Sequence, residues 1–239
     1  MYVPLIGLAI MVAWGVPDLL QSFPRRRFVV RTAAVFAVTA CFVFTWMQVG
    51  HWRNGVTLFE HNFAVCPHPR AEHMLGSALL RTGQIDSAKT HFESVLRSRP
   101  DDAATLNLLG VAFQLQGRLD EALTQFRRSV ELDPNVARSQ YNYANLLAER
   151  SELEAAVVAY RASLAIEPLP KTHNNLGAVL LKQQKYQEAA EEFAAALAIS
   201  PVYHGARTNL TRLLAEHPHL KTPRPAESLG ISNDPTGRF

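Results

Sequence analysis

Apolar positions along this chain follow two regimes. Up to Gly50 they run almost without interruption, and from Trp52 onward they return at helical spacing with a longer period laid over it. That period is marked by prolines at Pro67, Pro100, Pro134, Pro168 and Pro201, spaced 33, 34, 34 and 33. Eight residues before each lies an aromatic ring: Phe59, Phe92, Phe126, Tyr160 and Phe193. Twelve residues before each lies a small residue: Gly55, Ala88, Ala122, Ala156 and Ala189. Twenty-four before the last four prolines stand Gly76, Gly110, Ala144 and Gly177. Residue classes held in register over so many periods predict a repeated unit of two helices rather than a single globular core.

The second unit shows the physical logic. Its helices are predicted over Ala103–Gln116 and Asp120–Leu132, with a turn at Gly117. Gly110 and Ala122 are small because closely packed helices leave no room for larger side chains at the contact. Phe126 is expected to fill the space between neighbouring units, and Pro134 to stop the second helix. These residues resemble the tetratricopeptide-repeat pattern over roughly two thirds of the chain. The resemblance implies an α-solenoid of antiparallel helix pairs with a concave inner surface. The array is expected to hold a half repeat over 51–68, repeats over 69–102, 103–136, 137–169 and 170–203, and a closing helix over 204–216. Residues 217–239, with several prolines and too little apolar periodicity to fold alone, are expected to be disordered.

The first regime reads as membrane. Residues 32–50 hold nineteen consecutive positions without formal charge, enough to cross a hydrocarbon core of about 30 Å. Met1 to Pro17 is a second charge-free run of seventeen, extended by Leu19 and Leu20 to a span over 1–21. Between them, the loop and helix start over 22–31 carry Arg25, Arg26, Arg27 and Arg31. The positive-inside bias keeps that loop cytoplasmic and sends everything after Gly50 to the opposite, extracytoplasmic side, which in a bacterial inner membrane is the periplasm. The fold class expected is therefore all-α, with two N-terminal transmembrane helices followed by the solenoid. Val38-Thr-Ala-Cys41 looks like a lipoprotein box, but Phe42-Val-Phe-Thr-Trp46 continues the apolar run past it, which favours a spanning helix over cleavage.

Charge and composition narrow the function. The net charge of +3 divides into +3 for residues 1–68, −1 for 69–216 and +1 for 217–239. The repeats are thus close to neutral, which argues against nucleic acid as a partner. Cys41 and Cys66 make no disulfide framework. No phosphate-binding glycine loop, nucleophile elbow or H-E-x-x-H helix is present. His51, His61, Cys66, His68 and His73 cluster in sequence without a metal-ligand spacing, and Asp101-Asp102 and Glu191-Glu192 read as solvated charges. No catalytic residue, metal site or cofactor is expected.

A second resemblance concerns the order of parts. Tyr2-Val-Pro-Leu-Ile-Gly-Leu8, Ala13-Trp-Gly15, the basic loop, the apolar helix and Trp52-Arg-Asn-Gly-Val-Thr-Leu-Phe59 resemble the C-terminal end of transmembrane-and-tetratricopeptide-repeat proteins. Those are related to membrane glycosyltransferases of the protein O-mannosyltransferase type. The resemblance implies the last helices and repeats of such an enzyme, without the early loops that carry its catalytic acids. Three readings follow: a membrane-anchored scaffold for a peptide or protein segment, the acceptor-recognition portion of a glycosyltransferase, and an assembly factor of the pilus or secretion type matured at Cys41.

Polar residues on the first helices are the candidate site. In arrays of the resembling family this helix lines the groove, and Asn142, Asn175 and Asn209 stand two residues before the small position of their units. A carboxamide both donates and accepts, so it can hold a peptide main chain whatever the side chains. Asn145 lies one turn beyond Asn142, Asn174 adjoins Asn175, and Arg138 and Lys171 stand near helix starts where a carboxylate could be met. Met74 and Leu108 replace the ladder residue in the first two units, leaving His73 and Asn107 beside it. Two roles stay open for these asparagines, peptide binding and helix packing.

Overall fold

The computed structural model describes residues 55–221, together with 32, 35–43, 45, 46 and 223. It divides into two compact units, Met1–Val65 and Cys66–Phe239. In the first, residues 35–43, 45 and 46 are helical, and α1 spans Gly55–Val65. Val35, Phe36, Val38, Phe42 and Trp46 are all strongly exposed. The candidate span over 1–21 lies outside the described residues, and only part of the one over 32–50 lies within them. Among the described residues, no helix is long and apolar enough to cross a membrane.

The second unit holds α2 (Pro69–Arg81), α3 (Ile85–Ser98), α4 (Ala103–Leu115), α5 (Leu119–Leu132), α6 (Ala137–Glu149), α7 (Leu153–Ile166), α8 (Pro170–Lys182), α9 (Tyr186–Ile199) and α10 (His204–Glu216). Second helices α3, α5, α7 and α9 each end two residues before the proline of their period. The first helix of each pair ends in one repeated turn. A backbone N–H reaches back five residues at 2.8–3.0 Å: Gln84 to Leu79, Arg118 to Phe113, Glu152 to Leu147 and Lys185 to Leu180. This closure requires a left-handed residue just before the donor. Gly83 (φ 79°) and Gly117 (φ 74°) supply it without cost, whereas Ser151 (φ 63°) and Gln184 (φ 60°) adopt it despite their Cβ atoms.

Packing proceeds by neighbours. Each pair packs on itself, each second helix on the following first helix, and each first helix on the next first helix. Among the described helices, the backbones of second helices stay apart, and α7 and α9 meet through the long side chains of Arg161 and Glu188, an exposed ion pair at 3.1 Å. Rows whose backbones approach on one side only curve toward that side, so the first helices line the inside of the curve. Phe92, Phe126, Tyr160 and Phe193 are the largest side chains in the core and are almost wholly buried. The ring of Phe126, which the sequence places between units, lies against Gly110 of its own unit. A Cβ built on Gly110 would lie 2.7 Å from that ring, and Gly76 with Phe92 and Gly177 with Phe193 repeat the arrangement at 2.7 Å. The aromatic thus sets the spacing inside these three pairs.

The expected disorder over 217–239 begins too early. Residues 222 and 224–239 lie outside the described residues, but Leu220 packs against the hydrophobic core and Lys221 is hydrogen-bonded to Gln187.

Candidate functional site

The inner row of first helices brings the sequence-predicted asparagines to the junctions between units. Asn142 Nδ2 donates to Asn107 Oδ1 at 3.0 Å, and Asn209 Nδ2 donates to Asn174 Oδ1 at 3.0 Å. Asn175 Nδ2 donates to the Tyr141 hydroxyl and to Asn145 Oδ1, both at 3.1 Å. In every case the donor stands two residues before the small position of its unit. Its partner in the preceding unit stands three before, at Asn107, Tyr141 and Asn174.

The first junction has Leu108 in place of the donor, and its chemistry is rearranged. His73, the corresponding partner residue, lies with Nδ1 2.7 Å from the Thr105 hydroxyl of the next unit. Thr105 is fully buried, and its N–H is capped by the Asp102 carboxylate at 2.9 Å. Burial pushes the His73 imidazole below its ordinary pKa; Asp102 pulls the other way and Arg99 adds to the depression. All four junctions between consecutive first helices therefore carry a side-chain hydrogen bond anchored three residues before the small position. Sequence reasoning named His73, Asn107 and Asn174 without Tyr141 and did not join them as one position, because His, Asn, Tyr and Asn share no class. Its signal was the register itself.

At the junction of α6 and α8 the bonds form a cluster. The Tyr160 hydroxyl donates to Asn145 Oδ1 at 2.5 Å, and its ring meets Tyr141 edge-on with centroids 6.1 Å apart. Burial, with Tyr141 close by, holds the Tyr160 phenol well above the ordinary tyrosine range. Lys171, expected to meet a carboxylate, places Nζ 4.5 Å from the centre of the Tyr141 ring, a cation–π contact. Asn174 Nδ2 also reaches Asn175 Oδ1 at 3.3 Å.

Arg138 stands apart. It is exposed, forms no ion pair among the described residues, and lines an open depression of 480 Å³ with His73, Ala104, Asn107, Leu108, Val136 and Ile166. This depression is lined by α2, α4, α6 and the end of α7, and sets the Arg138 guanidinium and the Glu167 carboxylate among apolar side chains. His51 lies outside the described residues, while His68, Asp101 and Glu192 have local structural roles. His68 caps α2 by accepting from the Arg70 N–H at 3.1 Å, Asp101 pairs with Arg128 at 2.9 Å, and Glu192 lies 2.7 Å from His173. Among the described residues, no three His, Cys, Asp or Glu side chains are grouped to hold a metal ion.

Comparison with known proteins places these features in context. The family described as tetratricopeptide repeat matches residues 73–137, 116–171 and 170–201, together more than half of the chain. Protein O-mannosyl-transferase Tmtc2 of Drosophila melanogaster is 28% identical over 103 residues, which cover 43% of this chain and 11% of that protein. Among solved structures, PilF of Pseudomonas aeruginosa is 24% identical with a TM-score of 0.60, covering 72% of this chain and 77% of that one. YrrB, described as having an unusual peptide-binding site, is 19% identical with a TM-score of 0.56, covering 70% and 88%. At such identities the structural likenesses establish the fold alone.

Proposed function

Since the chain belongs to the tetratricopeptide-repeat family, we propose that it is a membrane-anchored scaffold whose inner row of first helices binds an extended peptide or protein segment on the extracytoplasmic side. The observation that carries this reading is the continuous inner row itself, which only the first helices form. Its depression, lined by Arg138 and Glu167 among apolar side chains, offers walls for a side chain and charges for the groups of a peptide. Asn142 and Asn209 commit their Nδ2 groups to the junctions and present their carbonyl oxygens to a peptide N–H. Lys171, Asn145, Asn174 and Asn175 continue the same row, and no metal or cofactor has a part in this function.

Anchoring is proposed through residues 1–50. The charge-free run over 32–50, the basic loop before it and the exposed apolar side chains of Val35, Phe36, Phe42 and Trp46 support it. A Val158→Cys variant in a Cys41→Ser/Cys66→Ser background tests the side of the membrane, because Val158 is 70% exposed on α7. A membrane-impermeant thiol reagent should label it in intact cells, and labelling only after lysis would place the array in the cytoplasm. Binding is tested by titrating the full chain with extended peptides and comparing wild type with an Arg138→Ala variant. Equal affinities would remove the depression from the binding site.

A second reading has its own support. The match to Tmtc2 supports reading this array as the acceptor-recognition portion of a protein O-glycosylation system whose catalytic part is supplied elsewhere. On that reading the purified chain binds acceptor peptide but transfers no sugar from a lipid-linked donor.

A further inference from the structure

After Glu216 the chain does not leave the array. His217 stacks on Tyr186 with ring centroids 4.0 Å apart and planes 25° apart. The Gln187 carboxamide holds the next turn of main chain at both ends of one residue. Its Oε1 accepts from the Lys221 N–H at 3.1 Å and its Nε2 donates to the Lys221 carbonyl at 3.3 Å. Between these contacts, Leu220 is half-buried against the core that also takes in Leu213 and Leu214.

The register explains the seat. Ile85, Leu119, Leu153 and Tyr186 open the four second helices, and each is half-buried. Leu220 stands 34 residues after Tyr186, where a fifth second helix would open. Pro223 and Pro225 deny that helix its hydrogen bonds, and the segment forms a turn instead, with the Leu220 N–H donating to the His217 carbonyl at 3.1 Å. The outer face of α10 carries exposed Thr208, Thr211, Arg212 and Ala215, which offer a further unit no large apolar side chain. The array ends here, yet the core around Leu213 and Leu214 still needs cover at this end.

We propose that residues 217–221 are a strap that terminates the solenoid by occupying the first turn of a missing second helix, held by main-chain recognition from Gln187 and by the Leu220 side chain. Because the carboxamide reads only the peptide group, the identity of residue 221 is immaterial provided that it has an N–H. That property makes the strap testable on the full chain without disturbing the repeats. Residue-resolved hydrogen exchange of the Leu220 amide, which donates to the His217 carbonyl at 3.1 Å, is the readout, with α4 amides as the control for folding.

Wild type and Lys221→Ala should show the same protection. Gln187→Ala and Lys221→Pro should each speed Leu220 exchange by about tenfold, the change expected from losing roughly 1.4 kcal/mol of local stability. An unprotected Leu220 amide in wild type would overturn the proposal. So would protection that survives both Gln187→Ala and Lys221→Pro, or that is lost in Lys221→Ala.

Discussion

Gly110 faces Phe126 so closely that an added Cβ would sit 2.7 Å from ring carbons Cδ1 and Cε1. The ring has no room to retreat, because it is fully buried. Gly110→Ala should therefore destabilise the array by about 1–3 kcal/mol, and Gly110→Leu by more. Since each unit is stabilised by its neighbours, the loss should spread beyond the second unit. Urea unfolding followed by circular dichroism measures it, and an unchanged midpoint for Gly110→Ala would show that the contact is slack.

The four turns inside the units provide a second test. Ser151 and Gln184 hold the left-handed conformation that glycine holds at positions 83 and 117. A side chain in that region costs about 1–2 kcal/mol through its Cβ and the following carbonyl, partly offset by the entropy glycine loses on folding. Ser151→Gly and Gln184→Gly should each stabilise the protein by roughly 0.5–1 kcal/mol. Converting Gly117 to Ser should have the opposite effect. Thermal unfolding of the three variants checks both directions, and a lower midpoint for Ser151→Gly would refute the strain.

Much of this fold is legible in the sequence because its determinants are local and periodic. Pro134, Phe126, Gly110 and Ala122 each state their role through residue class, and each recurs in register. The junction bonds are harder to read. His73, Asn107, Tyr141 and Asn174 do one job with three chemistries, and what they share is their place across a groove that only the stacked units create. Ser151 and Gln184 hide for a similar reason, since neither announces a turn as glycine does. Leu220 keeps the register, but the prolines around it argue for disorder when composition alone is weighed.

His73 makes the first junction sensitive to pH. Burial lowers its pKa below the ordinary value, so the folded chain keeps the imidazole neutral where the unfolded chain already binds a proton. Above the unfolded value of about 6.5 both states are neutral and the contribution to stability is complete. As pH falls below that value the unfolded state takes up the proton first, and stability declines until the folded pKa is passed. His73→Asn removes this titration. Denaturant midpoints for wild type and His73→Asn, compared from pH 7.5 to about pH 5, should diverge with wild type losing more. Parallel curves would mean that the imidazole titrates alike in both states.

The last prediction separates the two roles of the ladder asparagines. Asn142→Leu imitates Leu108 of the preceding unit and leaves the Asn107 carbonyl, on a side chain only 4% exposed, without its donor. An orphaned buried acceptor costs about 1–3 kcal/mol, so the single variant should lose that much stability. Adding Asn107→His rebuilds the arrangement of the first junction, because Ser139 occupies the register place of Thr105 and would meet the imidazole. The double variant should thus recover at least half of the lost stability while still lacking the Asn142 carbonyl oxygen in the groove. If the inner row holds a peptide main chain, affinity stays reduced in the double variant although the fold is restored. Recovery of binding together with stability would assign Asn142 to the junction alone.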